Sequence, residues 1–183
     1  MEAPTINKPK TQIGARTEAK PVGRVVPAQM AHVNEIHALI TYWAERHLML
    51  FRGLEELYEC IRDFRVLVDA EGKVLGCCAM EVLWRDMGEI KSLAVDPDRR
   101  GQGIGTLLVS DALADASRLG LSKVFALTYK PEFFKKHGFV RVDKASLPHK
   151  VWTDCIRCPL QNECREEPML LDIGSRQSSS AHT

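Results

Sequence analysis

The sequence lacks the long apolar run that a membrane-spanning helix requires. None of its apolar stretches approaches the roughly 18 residues that indicate such a helix. The first 16 residues, MEAPTINKPKTQIGAR, contain no apolar segment of the kind found in secretory signals. The chain also lacks a long basic run, and its net charge is only +1. We therefore expect a cytoplasmic protein with neither a membrane nor a nucleic acid as its partner.

Two common phosphate-binding motifs are also missing. A P-loop requires Gly-Lys-Ser or Gly-Lys-Thr, and neither occurs. The glycine cluster Gly101, Gly103 and Gly105 has the spacing G-x-G-x-G, whereas a dinucleotide-binding loop has G-x-G-x-x-G. An acidic strand end about 20 residues further on is absent as well. These observations argue against both nucleotide-binding classes.

The composition predicts one globular domain with polar ends. Hydrophobic residues make up 45% of the 183 positions and charged residues 27%, and a domain of about 150 residues can bury a full core. Residues 1–23 and 175–183 are polar and show no periodicity, which predicts a disordered arm and a disordered tail. The domain is then expected over residues 24–174.

Hydrophobic periodicity predicts alternating strands and helices within this domain. Strands are predicted near residues 24–26, 64–68, 73–83, 89–95, 123–128, 139–142 and 169–173. Helices are predicted after Pro27 and over residues 54–61, 104–119 and 131–136. If the third helix is a crossover, it makes the strand at 123–128 parallel to the strand at 89–95. On that helix we expect an apolar face formed by Ile104, Leu107, Leu108, Ala112, Ala116 and Leu119.

The segment between the strand at 89–95 and the third helix carries the clearest functional signal. Pro97 and Gly101 end the strand, and Gly103 and Gly105 allow the backbone to approach a ligand without an intervening Cβ. The first N–H groups of the helix are unpaired and carry a partial positive charge. The loop and the helix start together predict an anion site, most naturally for a phosphate or diphosphate.

Within this segment, Arg100, Gly103 and Gly105 form the pattern Arg-x-x-Gly-x-Gly. The pattern resembles the acetyl-CoA signature of the GCN5-related N-acetyltransferase (GNAT) superfamily, and the order of predicted elements is similar to that of its fold. The resemblance implies an α+β fold, layered α/β/α, with about four helices. Its sheet would be mixed, mostly antiparallel, with a parallel strand pair that splays apart. It also implies acetyl-CoA as the co-substrate, with no metal needed for catalysis. The implied acetyl-CoA contacts are Leu93, Ala94, Val95, Arg100, Gly101, Gln102, Gly103, Ile104, Gly105, Thr106, Phe134 and Lys136.

The second half of the chain resembles a narrower group. Residues 120–148 are similar to bacterial N-acetylglutamate synthases, and residues 148–164 (PHKVWTDCIRCPLQNEC) resemble the tail of their short, single-domain members. This likeness implies acetyl transfer to the α-amine of L-glutamate, the first step toward arginine. Relatives are often dimers, so a homodimer is a further expectation by analogy.

The likeness assigns roles to several charged residues. Alternation places Glu89, Lys91, Leu93 and Val95 on one strand face. In some relatives a glutamate at the position of Glu89 is the general base, and an ion pair with Lys91 is the alternative. Arg52 stands where the glutamate synthases have an arginine that binds a substrate carboxylate. Its alternative is a solvated arginine at a helix start. Because a dicarboxylate needs at least two cations, Lys91 and Arg157 are further substrate-binding candidates.

One departure from the family pattern concerns the general acid. Phe134 stands where many relatives have a tyrosine that protonates the CoA thiolate. Tyr129 is a possible replacement, although a thiol with a pKa near 8.5 can also leave without help. The departure leaves a non-catalytic acetyl-CoA-binding regulator as a rival hypothesis. An acetyltransferase for another small amine or a protein amine is the other.

The cysteines indicate packing more than metal binding. Cys155, Cys158 and Cys164, with His149 nearby, have ingredients of a zinc site. This pattern is weaker than two paired CxxC motifs, so packing or a redox-sensitive pair is favoured and no metal is predicted. Neighbours Cys77 and Cys78 should face opposite sides of a strand, and Cys60 is expected in the core.

Overall fold

A computed structural model of the protein describes residues 23–147 and 164–174, together with residue 156. Within these residues the strands are β1 (Arg24–Pro27), β2 (Phe64–Val68), β3 (Val74–Trp84), β4 (Met87–Val95), β5 (Lys123–Thr128), β6 (Val140–Arg141) and β7 (Glu167–Asp172). The helices in the same part of the chain are α1 (Val33–Ala44), α2 (Leu54–Glu59), α3 (Ile104–Arg118) and α4 (Pro131–Lys136). The predicted arm, apart from Gly23, and the predicted tail lie outside the described residues.

The strands form one mixed sheet in the order β1-β2-β3-β4-β5-β7-β6. Every neighbouring pair is antiparallel except β4 and β5, which are parallel. That parallel pairing joins Met87–Glu89 to Lys123–Phe125 and then ends. Because both strands continue beyond this register, they diverge and leave a wedge-shaped gap. The predicted fold class, including the splayed pair, is confirmed.

Helices cover both faces of the sheet. The first cluster of buried side chains joins α1 and α2 to β2 and β3, with Ile36, Ile40 and Leu57 fully buried. The larger cluster joins α3 and α4 to the opposite face, with Leu108 and Ala112 fully buried. The apolar side chains exclude water from both faces, and burial at about 25 cal/mol per Å² is the main stabilising contribution. The α/β/α layering follows from this arrangement.

The predicted apolar face of α3 is partly wrong. Leu107 and Leu119 are 45% and 58% exposed, while Val109 is fully buried. The buried residues of α3 lie mainly four residues apart, at Ile104, Leu108, Ala112 and Ala116, with Val109 beside them. Leucines three residues away from this row lie on its flank, outside the contact with the sheet.

Two predicted boundaries also change. Pro27 does not open a helix; it is the last residue of β1, where it pairs with Arg65. β1 is an edge strand, and an edge strand tolerates a residue without an N–H group. The turn between β3 and β4 contains only Arg85 and Asp86. β4 therefore starts at Met87, which places Glu89 inside the strand. Within the described residues, none of the helices has the length and apolar character needed to span a bilayer.

Candidate active site

A cleft of about 1360 Å³ opens at the point where β4 and β5 diverge. One wall is formed by residues 89–95 of β4, and the glycine loop with the start of α3 forms one end. The end of β5 and α4 form the opposite wall, while residues 48–52 and α2 border the remaining side. The sheet gap thus connects the predicted anion site to the charged residues of β4.

The glycine loop exposes the first amides of α3 to this cleft. Gly101 and Gly103 have φ values of 78° and 82°, which L-residues with a Cβ rarely adopt. Gly103 is the N-cap residue of α3, and no side chain caps the helix there. A Cβ built on Gly103 would meet nothing within 4 Å. Open space beside uncapped helix amides fits the diphosphate of a CoA ester.

Gly105 is required for a different reason from the one expected. A Cβ at this position would lie 3.3 Å from Cζ of Phe133, a side chain that packs against the core. The space beside Gly105 is therefore filled by the protein itself. The absence of a side chain at Gly105 allows α3 to approach α4 closely, whereas the space beside Gly103 is open.

A β-bulge at Ser92 changes the predicted alternation of β4. Lys91 pairs with Ala79 and Ala94 pairs with Cys77, so two residues of β4 stand opposite one residue of β3. Ser92 has a φ of 51°, a conformation that is uncommon for a serine. The inserted residue reverses the direction of every later side chain on the strand.

The bulge makes the predicted face of β4 wrong beyond Lys91. Leu93 and Val95 pack against the α3 side of the sheet, while Ala94 belongs to the cluster on the α1 side. Glu89 and Lys91 lie in the cleft without these two apolar neighbours on their face. All five residues nevertheless border the cleft.

Glu89 and Lys91 form an ion-pair network in the cleft. Nζ of Lys91 lies 3.3 Å from Oε2 of Glu89 and 2.7 Å from Oε2 of Glu81. Glu89 is only 5% exposed, so its carboxylate is held against the lysine away from bulk water. The ion pair with Lys91, one of the two predicted alternatives, therefore exists, and the glutamate still borders the cleft.

Arg52 borders the cleft on the side of α2. Its Nη1 is 2.7 Å from Oε1 of Glu56 and its side chain is 16% exposed, and the same nitrogen lies 3.7 Å from Sγ of Cys60. This burial argues against a solvated arginine. Cys60 is half-buried; it packs against the core cluster on the α1 side, as expected, and also borders the cleft.

Burial shifts the pKa values of two groups near Arg52. It raises the pKa of the Cys60 thiol, an effect that the nearby Arg52 cation opposes. It also raises the pKa of Asp63, where the charge of Glu81 adds to the effect. Partial removal from water disfavours the charged form of both groups. This side of the cleft thus combines the cation of Arg52 with a carboxyl group, that of Asp63, that is partly withdrawn from solvent.

The opposite wall carries the aromatic residues of α4. Phe134 is 4% exposed, and its ring contacts Phe133 and Phe139 edge-on at centroid distances of 5.3 and 5.2 Å. Lys136 borders the cleft, as does half-buried Tyr129 just after β5. A hydroxyl group could thus reach the cleft from Tyr129, whereas Phe134 has none to offer.

Sequence reasoning missed several polar residues of the cleft. Glu81, Lys144 and Glu166 border it, and Nζ of Lys144 lies 4.0 Å from Sγ of Cys164. Burial raises the pKa of Glu166. Trp43, near the end of α1, also borders the cleft. These residues come from distant parts of the chain, so no local motif could identify them.

Three of the four weak candidates for metal ligands, and one substrate-binding candidate, cannot be placed in this site. His149, Cys155, Cys158 and Arg157 lie outside the described residues. Among the residues that are described, no group of three or more His, Cys, Asp or Glu side chains is arranged to hold a metal ion. Cys164 is described, and its neighbours are Lys144 and Glu166.

Comparisons with known proteins agree with this geometry. The family model "Acetyltransferase (GNAT) domain" matches residues 62–141. An uncharacterized N-acetyltransferase of Chlorobaculum tepidum is 40% identical over 143 residues, which cover 78% of this chain and 92% of the relative. An amino-acid acetyltransferase of Mycobacterium tuberculosis is 38% identical over 142 residues, covering 76% of this chain and 80% of the relative.

A solved structure extends the comparison to ligands. N-acetylglutamate synthase from Neisseria gonorrhoeae, complexed with coenzyme A and N-acetyl-glutamate, matches with a TM-score of 0.77 and 27% identity. The match covers 85% of this chain and 36% of that larger chain. Together with the open amides of α3 and the splayed strands, these findings establish that the chain belongs to the GNAT family and is an N-acetyltransferase with acetyl-CoA as its co-substrate.

Proposed function

We propose that the acceptor is an amino acid, L-glutamate, and that the enzyme acetylates its α-amine in the cytoplasm as an N-acetylglutamate synthase. Such a reaction would begin arginine biosynthesis. The name of the Mycobacterium tuberculosis relative supports an amino-acid acceptor. The N-acetyl-glutamate in the Neisseria gonorrhoeae structure supports glutamate. Within this chain the observation that carries the proposal is the mostly buried side chain of Arg52, which borders the cleft.

The acetyl-CoA contacts proposed for this chain begin at the glycine loop. Backbone N–H groups of residues 102–105 would donate to the diphosphate, and Thr106 and Arg100 would contribute polar contacts beside them. Lys136 borders the same cleft and adds a positive charge on the α4 side, while the Phe134 ring closes the core behind it. These groups would anchor the diphosphate of the co-substrate, so that its pantetheine arm extends into the gap between the strands.

The backbone of β4 would hold the pantetheine arm. The N–H group of Asp96 donates to the Leu75 carbonyl at 2.9 Å, and Val95 is the partner of Gly76. Val95 therefore belongs to a pair without mutual hydrogen bonds, so its own N–H and C=O point away from β3. The carbonyl accepts the indole N–H of Trp43 at 2.9 Å, which leaves the N–H group of Val95 for a ligand in the gap. An extended pantetheine chain could lie against residues 93–95 as an added strand. A strand N–H group could then polarise the thioester carbonyl.

Glu89 is the proposed general base. The amine nitrogen attacks the thioester carbon, a C–N bond forms and the C–S bond breaks. Glu89, directly or through one water molecule, takes the proton that the amine must lose. Tyr129 could give a proton to the departing thiolate, which could otherwise leave as the anion. Lys91 would keep the Glu89 carboxylate in place through their 3.3 Å contact.

Arg52 is the proposed partner for a substrate carboxylate. Its guanidinium fork suits a carboxylate, and Glu56 already occupies this position at 2.7 Å. A glutamate substrate would replace or share the Glu56 contact. Lys91 is shared between two carboxylates, so Arg157 is retained as the proposal for the second cation. A homodimer likewise remains a prediction.

A second acceptor class is favoured by the charge of this part of the cleft. Among the described residues near Arg52 and Lys91, the cleft is bordered by the carboxylates Glu56, Glu59, Asp63, Glu81 and Glu89. An excess of carboxylates attracts a cationic amine, such as a polyamine or a lysine side chain. Such an acceptor has no carboxylate for Arg52 to bind, so Arg52 would have no role in holding it.

One assay separates the two acceptor classes. CoA thiol release is measured with acetyl-CoA and each of the twenty amino acids, N-acetyl-lysine amide and spermidine. We expect the highest kcat/KM with L-glutamate, well above that with L-glutamine, because glutamate, unlike glutamine, offers a second carboxylate to the site. Release with spermidine alone would contradict the glutamate proposal and support the cationic acceptor.

A further inference from the structure

Trp43, on α1, makes a hydrogen bond to the last residue of β4. Its indole Nε1–H donates to the main-chain carbonyl of Val95 at 2.9 Å, across 52 residues of sequence. Val95 is the last residue of β4 and borders the gap. The bond is partly buried, so water competes with it only weakly.

This hydrogen bond completes the fixation of one peptide unit. The peptide that joins Val95 to Asp96 presents its carbonyl to Trp43 and its N–H group to the carbonyl of Leu75, both at 2.9 Å. With both polar groups held, the plane of this peptide has little freedom to rotate. The chain leaves β4 at this point for the glycine loop, so the peptide sets the direction in which the loop starts.

The same indole contacts the loop a second time. The guanidinium carbon of Arg100 lies over the Trp43 ring, 5.5 Å from its centroid. This distance is within the range of a cation–π interaction. Trp43 therefore contacts both Val95, before the turn at residues 96–99, and Arg100, after it. The ring thus connects the Arg100 side chain to the end of β4.

We propose that Trp43 is a positioning residue for acetyl-CoA, which orients the end of β4 and Arg100 so that the α3 amides and the strand edge face the same co-substrate. The inference rests on the proposed acetyl-CoA contacts of residues 93–106 and does not depend on the identity of the acceptor. Trp43 acts through Val95 and Arg100, and no direct contact with the reacting atoms is assigned to it.

Two substitutions separate the parts of the side chain. Trp43→Phe keeps an aromatic ring under Arg100 and removes the N–H donor, whereas Trp43→Leu removes both. Loss of one such hydrogen bond is worth a factor of about three to ten in affinity. We therefore expect the Kd for CoA, measured by titration calorimetry, to rise about three- to tenfold in Trp43→Phe and further in Trp43→Leu. Trp84→Phe is the matched control, since Trp84 is 65% exposed and lies outside the cleft lining.

Kinetics distinguish positioning from general damage to the fold. In Trp43→Phe the KM for acetyl-CoA should rise with the Kd, while kcat and the acceptor KM stay within about twofold of wild type. A fall in kcat with an unchanged KM for acetyl-CoA would overturn the proposal. So would a Kd for CoA equal to that of Trp84→Phe. Circular dichroism and the melting temperature report whether each variant is folded.

A double-mutant cycle tests the Arg100 contact, and a loop variant tests the assumption beneath it. If Arg100 acts through the ring, Arg100→Ala should weaken CoA binding at least about threefold less in the Trp43→Leu background than in wild type. Additive effects of the two substitutions would overturn the role of the Arg100 contact.

Gly103→Glu should abolish CoA binding. If it retains wild-type affinity, the loop assignment fails and this inference with it. If Gly103→Glu loses affinity but Trp43→Phe does not, only the role of Trp43 fails.

Discussion

Gly103 and Gly72 offer a controlled test of the anion site, because the two glycines have nearly the same positive φ. Their φ values are 82° and 86°, and a Cβ on either would meet nothing within 4 Å. Gly72 lies in the turn between β2 and β3, whereas Gly103 faces the cleft. Alanine in a left-handed conformation costs about 1–2 kcal/mol. We expect both Gly→Ala variants to lose this amount of stability, and their melting temperatures to fall by a similar few degrees.

The affinity for CoA should fall in only one of these two variants, Gly103→Ala. In Gly103→Ala the new methyl group enters the space beside the α3 amides, where the diphosphate is proposed to lie. Loss of one hydrogen bond to a charged group costs about 1.5–3 kcal/mol, which corresponds to a 10- to 100-fold rise in Kd. Gly72→Ala should bind CoA as wild type does. Titration calorimetry with CoA measures the difference. Equal affinities in two variants of equal stability would refute the proposed position of the diphosphate.

Three further predictions concern the proposed acceptor site, the proposed general base and the core. Arg52→Ala should raise the KM for glutamate at least tenfold with little change for acetyl-CoA, and exposed Arg62→Ala should change neither; equal effects on both substrates would remove Arg52 from the acceptor site. Glu89→Gln should lower kcat by about 10²- to 10⁴-fold, with partial recovery at high pH, where bulk solvent deprotonates the amine; an unchanged pH–rate profile would exclude it as the base. Burial raises the pKa of Cys77 to about 12 and also raises the pKa of Cys78, so neither thiol should react with iodoacetamide at pH 8 in the folded protein, as peptide mass mapping can check.

Much of the fold could be predicted because its signals are local. The anion loop is contained in a few consecutive residues, where Pro97 and Gly103 have direct conformational consequences. The opposite directions of Cys77 and Cys78 follow from the period of a strand, and the structure places them in separate clusters. The prediction of which side chains share a face of β4 failed because one inserted residue, Ser92, interrupts the strand period. Nothing in the sequence of β4 identifies Ser92 as a bulge, since the bulge is defined by the pairing with β3.

The candidate site could be predicted less completely than the fold, because its residues are brought together by contacts between distant parts of the chain. Glu89 and Lys91 could be identified from one strand, but their shared neighbour Glu81 lies on another strand and enters only through the β3–β4 register. Arg52 could be singled out by resemblance, whereas its contact with Glu56 and its low exposure required the folded chain. Trp43 gave no functional signal in the sequence, since an aromatic residue at helical spacing indicates a core position.

The sequence by itself determined the order of strands and helices, the glycine loop and the start of α3, because turn residues and hydrophobic periodicity act over a few neighbouring positions. Only the tertiary structure decided which side chains share the cleft. The bulge at Ser92 redirects the end of β4, the divergence of β4 from β5 opens the gap, and Trp43 joins α1 to that strand end. These features depend on pairing between segments far apart in the chain, and pairing of that kind has no local pattern from which to predict it.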